Sequence, residues 1–201
     1  MNETKNREKG GTDVAQPAFR PKLAFYHANS RGTGGAVSMD LHPAHGNKDG
    51  CIMKRIANQM TIGNRQGPNP TFPRFDWENA IVVKLGFDDL CQILQVFRGE
   101  CESVGDGKGL IHVTAKASTS IRLRHMIEPV KGYSLEVYRT SRNGGEESRA
   151  HILFSNAEAV GLCEAIAGSM SVISFGIPVV LPHDTAAYEA EQKEFRNATA
   201  A

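Results

Sequence analysis

His27, His42 and His45 stand close together in the sequence, with Cys51 beyond them, a set of side chains that could bind a transition metal. The spacing His42-Pro-Ala-His45 falls at a strand end rather than on a helix, and no further residue follows at ligand spacing. Turn or solvated histidines account for them more simply. Asp88 and Asp89 have the composition of an acid/base couple, but adjacent helical residues point apart, and a helix start favours acids through its dipole. The runs "SRGTGG" and "GDGKG" could turn backbone N–H groups toward a phosphate. Neither ends in Gly-Lys-Ser/Thr or leads from a strand into a helix, and Asp106-Gly107 is first a turn signal. No Gly-x-Ser-x-Gly element occurs, and no cysteine has an activating setting. The sequence therefore asks for no catalytic residues, no metal and no cofactor, and a non-enzymatic protein is expected.

Basic and aromatic residues offer a different chemistry. Residues 71–80 read "TFPRFDWENA", with Phe72, Arg74, Phe75 and the chain's only tryptophan, Trp77. In "SIRLRHMIE", Ile121, Leu123 and Ile127 share one strand face and leave Arg122 and Arg124 on the other. Lys84 projects opposite Ile81, Val83 and Leu85. Arg31 sits on a Gly-rich hairpin tip, and Lys54-Arg55 lies in a strand of ambiguous parity. Arginines and lysines that follow phosphates, beside rings that stack bases, suit a single-stranded nucleic acid. Spacing alone leaves a second reading open, in which these are solvated strand positions and the rings close the edge of the core. Parity counted back from Ile81 puts Phe75 and Trp77 on the inward side and makes Phe72 the better stacking candidate.

Two similar halves must position these groups. "LAFYHA" and "GGAVSMDLH" read as strands flanking a glycine-rich loop, and Val37, Met39 and Leu41 alternate with Ser38, Asp40 and His42. "GCIMKRIANQM" and "AIVVKL" give two more strands. In "GFDDLCQILQVFRGE", Leu90, Ile93, Leu94 and Phe97 recur at helical spacing, with Gly99 as a stop. The second half repeats the plan with "GLIHVTA", "TSIRLRHMIE", "GYSLEVYRT" and "ESRAHILF". The capping box "SNAE" then opens the helix "AVGLCEAIAGSMSVIS". Four antiparallel strands and one helix bury too little alone, so the halves share one core. The second helix is apolar on every side, so it is expected to be buried on every side, partly against another subunit. Gly161, Leu162, Ala165, Ile166, Gly168 and Met170 are its interface candidates.

The totals frame these readings. A length of 201 residues suits one well-buried domain, and a net charge of +1 excludes a protein that coats DNA by bulk electrostatics. Cys51, Cys91, Cys101 and Cys163 lack C-x-x-C spacing, which fits a reducing cytosol. The start of the chain has no apolar core of a secretory signal, and no apolar run approaches a bilayer span, so no membrane is expected. Residues 1–21 read as a polar tail, 22–178 as the folded domain, and 179–201 as a polar tail or short helix.

The layout of four strands and a helix, twice, with "FDWE" at residues 75–78 before the strand that leads into the first helix, resembles the Whirly family. These are single-stranded DNA-binding transcriptional regulators, grouped structurally with mitochondrial RNA-binding proteins and PUR-like regulators. The resemblance covers residues 23–177. Whirly proteins carry Tyr-Asp-Trp-Glu at the corresponding place and Lys-Gly-Lys-Ala-Ala-Leu-Ser on their first hairpin. Here "GTGGAVS" stands in that position: Ala36, Val37 and Ser38 fit, the lysines are absent, and Arg31 is the nearest basic residue. The resemblance implies an α+β fold of two four-stranded antiparallel sheets, each followed by a helix, packed roughly crosswise. It implies helices that assemble a homotetramer, and DNA lying along sheet edges between subunits. The expected function is binding of single-stranded DNA or RNA as an accessory to transcription, replication or repair. Arg31, Lys54, Arg55, Phe72, Arg74, Phe75, Trp77, Lys84, Arg122 and Arg124 are the candidate contacts. The expected partners are the nucleic acid and a second copy of the chain, as dimer or tetramer, in the cytoplasm or on a bacterial nucleoid. The alternative is an oligomeric scaffold on the same fold that binds protein instead.

Overall fold

Alternating burial along the strands divides the chain into two antiparallel sheets around one core. The computed structural model describes residues 22–176 apart from 65, 67, 129, 143, 144 and 146, so the tails expected at 1–21 and 179–201 lie outside the described residues. The first sheet holds β1 (Lys22–His27), β2 (Gly35–His42) and β3 (Cys51–Thr61) in that order. Beyond β3 lie β4 (Arg74–Phe75) at one end and β5 (Ile81–Leu85) along the rest. The second sheet is the meander β6 (Leu110–Val113), β7 (Ala117–Met126), β8 (Gly132–Ser141) and β9 (Glu147–Phe154). Helix α1 (Phe87–Phe97) follows the first sheet and α2 (Asn156–Phe175) the second, as the repeated plan expects.

The core takes one face from each sheet and one side of each helix. Val37, Ile56 and Ile81 stand in register across β2, β3 and β5, and Ile121, Val137 and Ala150 across β7, β8 and β9; all are buried. Leu90, Ile93, Leu94 and Val96 close it from α1, and Leu162 and Ile166 from α2. β9 crosses the first sheet at β2 and β3. A Cβ on Gly35 would lie 1.9 Å from the His151 carbonyl oxygen, so only glycine permits this approach.

Local chemistry sets the helix ends. Ser155 Oγ accepts from the Glu158 N–H, while the Glu158 carboxylate accepts from the Ser155 N–H and hydroxyl, completing the expected capping box. Asp89 accepts from the Gly86 N–H at the start of α1, and Gly99, at φ +74°, follows its end. The β2–β3 connection donates from the Ala44 and Gly50 N–H groups to the carbonyls of Val172 and Ile173, satisfying the end of α2.

Three expectations need correction. The stretch before β5 is not one continuous strand: β4 ends at Phe75, and a turn in which Asp76 accepts from Asn79 intervenes, so parity counted back from Ile81 does not reach Trp77. Leu41 keeps its inward parity but is exposed, because it borders an apolar groove of about 340 Å³ between the first sheet and α2. Helix α2 is buried on one side only. Leu162 and Ile166 belong to the chain's own core, Gly161, Ala165 and Gly168 are exposed, and Met170 is half-buried. By length and composition this 20-residue helix reaches the measure of a membrane span, which the sequence reading missed; Ala159, Leu162, Cys163, Ile166 and Ile173 are its part in the core.

Candidate nucleic-acid interface

The outward face of the first sheet is built on small residues. Ala24, Ser38 and Arg55 align across β1, β2 and β3, and Tyr26, Ala36 and Ala57 form the neighbouring row. Strands lie about 4.8 Å apart, so Tyr26 on β1 and Phe75 on β4 start about 14 Å from each other. Yet their ring centroids are 5.7 Å apart, and Tyr26 stands edge-on to Trp77 at 6.1 Å. The rings therefore lean inward over the sheet, and Ala36 and Ala57 beneath them are buried. Tyr26 remains 59% exposed, while Phe75 and Trp77 are half-buried. The Arg55 guanidinium donates to the Trp77 carbonyl at 3.0 Å and lies 5.8 Å from the centre of its ring. Lys22, Asp40, Met53 and Lys84 form a further row on this face, two ammonium groups to one carboxylate.

A second cluster occupies the outward face of the second sheet. The Tyr138 ring lies between the guanidinium groups of Arg122 at 5.4 Å and Arg149 at 5.0 Å. Its hydroxyl donates to Glu136 Oε2 at 2.6 Å, and this hydrogen bond foremost raises the phenol above its ordinary pKa. Arg149 stands 3.6 Å and Arg124 3.9 Å from the same carboxylate. Three arginines against one glutamate leave the face positive.

The structure thus distributes the ten candidate contacts. Arg55, Phe75 and Trp77 come together with Tyr26, and Lys84 shares their sheet face. Arg122 and Arg124 belong to the other sheet. Arg31 is exposed on the β1–β2 loop, where Asn29 Oδ1 accepts from its N–H. Phe72 is 72% exposed, and Arg74 is exposed at the start of β4. Lys54 does not belong with them. It lies between Met39 and Val83 in register and is only 4% exposed, so its ammonium cannot reach a ligand on the surface. Burial lowers its pKa to about 8, against the pull of the Asp89 carboxylate. Tyr26, Tyr138, Arg149 and Glu136 were missed. Alternation in "GYSLEVYRT" and "ESRAHILF" already places Tyr138 opposite Val137 and Arg149 opposite Ala150, but only the cross-strand register joins them.

His27, His42, His45 and Cys51 do not form a metal site: among the described residues no group of three His, Cys, Asp or Glu side chains could hold an ion. His27 instead pairs with Glu158 at 2.9 Å. Burial alone would raise the Glu158 carboxyl, but hydrogen bonds from Ser155 and the nearby His27 hold it below its ordinary value. The four cysteines are free; burial raises the Cys51 thiol, with Lys84 opposing, and so keeps it unreactive.

No family model and no curated protein matches the chain by sequence. Solved structures do match by shape. The plant transcriptional regulator PBF-2 superposes with a TM-score of 0.61 at 14% identity, over 79% of this chain and 84% of that one. WHY1 from Arabidopsis thaliana gives 0.61 at 15%, over 79% and 93%. MRP1/MRP2 of Trypanosoma brucei gives 0.51 at 13%, over 77% and 86%. PBF-2 and WHY1 are Whirly proteins, and the chain has the Whirly fold.

Proposed function

We propose that this chain binds single-stranded nucleic acid without catalysis, as an accessory factor in transcription, replication or repair. The observation that carries the reading is the partly exposed roof of Tyr26, Phe75 and Trp77, beside Arg55, over a sheet face of small residues. Rings that are partly exposed and held tilted or edge to face offer faces and rims for bases, and the neighbouring cations follow phosphates. The fold supports it, since a matched structure of the same architecture is a transcriptional regulator. Near-zero net charge confines the electrostatic attraction to these two faces. The cytoplasm is the compartment in which such a protein would act.

Titration of a fluorescent oligothymidine at two salt concentrations tests the reading. Binding at micromolar protein or below in low salt is expected, weakening as salt rises. Trp77→Ala should weaken it by about 1–3 kcal/mol, the worth of one stacked base. Absence of binding at micromolar protein in low salt would overturn the proposal.

A second reading, an oligomeric scaffold, has its own observation. Val160 is 65% and Phe175 88% exposed on the outer side of α2, beside the apolar groove lined by Leu23, Leu41, Leu162 and Ile166. Such a surface favours self-association as a dimer or tetramer, which is compatible with either function.

A further inference from the structure

The outward face of the second sheet ends in a pocket of about 300 Å³, within the size range of small-ligand sites, where the turn at 104–109 folds over β7 and β8. Its polar walls are Arg122 and Arg124 from β7, Ser134 and Glu136 from β8, and Ser103 before the turn. Arg122 pairs with Glu136 and Arg124 with Ser134 across the ladder, so the four form a square on one face. The turn is fixed closely against the sheet. A Cβ on Gly109, at φ +84°, would stand 2.7 Å from the Ile121 carbonyl oxygen, and the Glu102 carbonyl accepts from the His125 N–H.

Two groups in this pocket have unused hydrogen-bonding capacity. Ser134 is 3% exposed, and its hydroxyl has no hydrogen-bond partner among the described residues. Glu136 Oε2 accepts from Tyr138, but the Arg124 nitrogen facing Oε1 is 3.9 Å away, beyond hydrogen-bond length. A carboxylate oxygen with open lone pairs beside a free hydroxyl matches a planar ligand that presents an amine next to an acceptor. The two guanidinium groups at the rim suit the anion attached to such a ligand.

We infer that this pocket admits one cytosine of a bound single strand, and so gives an otherwise sequence-tolerant protein a preference for cytosine over thymine. This rests on the nucleic-acid reading above. Glu136 Oε1 accepts from the cytosine N4 amine, the pairing expected of an acidic side chain with this base. The Ser134 hydroxyl donates to the ring nitrogen beside it, and Arg122 and Arg124 hold the flanking phosphates. Thymine places a carbonyl oxygen where the amine would be, and the carboxylate repels it.

Competition titrations with oligothymidine and with the same oligomer carrying cytosines at intervals test the inference. The native chain should prefer the cytosine oligomer by about tenfold, within the discrimination of one good base contact. Glu136→Gln should bring the ratio close to one, through a loss of affinity for the cytosine oligomer larger than any change for oligothymidine. Ser134→Ala, which removes a hydroxyl without a partner and should leave the fold intact, should also lower the ratio. Equal affinities in the native chain would overturn the pocket and leave the general reading standing. So would a Glu136→Gln loss equal for both oligomers, which would make Glu136 only a holder of the arginines. Failure of both oligomers to bind would overturn the nucleic-acid reading itself.

Discussion

Lys54 carries an ammonium group into the interior, and its neighbours show the energetic consequence. It sits where alternation along β3 demands an apolar side chain, between the buried Ile52 and Ile56. Parity in "IMKRI" pointed to this side, but the charge suggested the other. The register with Met39 and Val83 resolves the conflict in favour of the core. The fall of its pKa from 10.5 to about 8 corresponds to roughly 3 kcal/mol of destabilisation at neutral pH. Between about pH 8 and 10.5 the folded chain binds fewer protons than the unfolded one, so stability should rise with pH across that window. Lys54→Met should stabilise the protein at pH 7 by about 1–3 kcal/mol, the lower end allowing for the lost attraction of Asp89, and should flatten the rise above pH 8. Chemical denaturation at pH 7 and pH 10 reads both effects, and a less stable variant at pH 7 would refute the account. Arg55 and Trp77 show a different limit of sequence reading. Their residue types were legible as a possible binding pair, but the guanidinium–ring contact depends on the turn at Asp76–Asn79, which broke the assumed strand.

At the scale of elements, most of the fold was legible because each boundary has a local chemical cause. Ser155 and Glu158 declare the start of α2, and Leu90, Ile93 and Leu94 mark the inner side of α1. Period-two alternation gave the inward residues of β5 and, in β7, Ile121 and Leu123, but Ile127, expected on the same face, lies past the end of β7 and is exposed. Sequence could not say what each element meets. Ser38 reads as the solvent side of β2 yet is buried, and Leu41 reads as inward yet is exposed, because cover comes from parts of the chain far away. Gly35 is another such case: as a strand glycine it suggests only a weak point, whereas the structure gives it the crossing of β9. Gly35→Ala should cost about 1–3 kcal/mol by overpacking this crossing, measured as a lower denaturation midpoint. An unchanged midpoint would show that β9 can shift away without loss.

At the scale of the whole molecule, the described residues of the two sheets and two helices leave an apolar surface uncovered on the outer side of α2 and its adjoining groove. A Cβ on Gly161 or Gly168 meets no atom within 4 Å, so substitution there spares the fold of the single chain. Light scattering of the native protein should therefore give a multiple of 21.9 kDa, and Gly161→Glu with Gly168→Glu should reduce it to the single-chain mass. A native monomer would remove the self-association reading. The contacts that lock the sheets together have a separate consequence. Arg139 from β8 donates to the Val82 carbonyl on the edge strand β5, and Asn58 from β3 donates to the Arg149 carbonyl on the edge strand β9. Two strand borders that could template fibril growth are thus partly occupied by the other half of the same chain. Any change that parts the halves uncovers both borders at once, so amyloid-type polymerisation should begin at the denaturant concentration where the sheets separate, and not before.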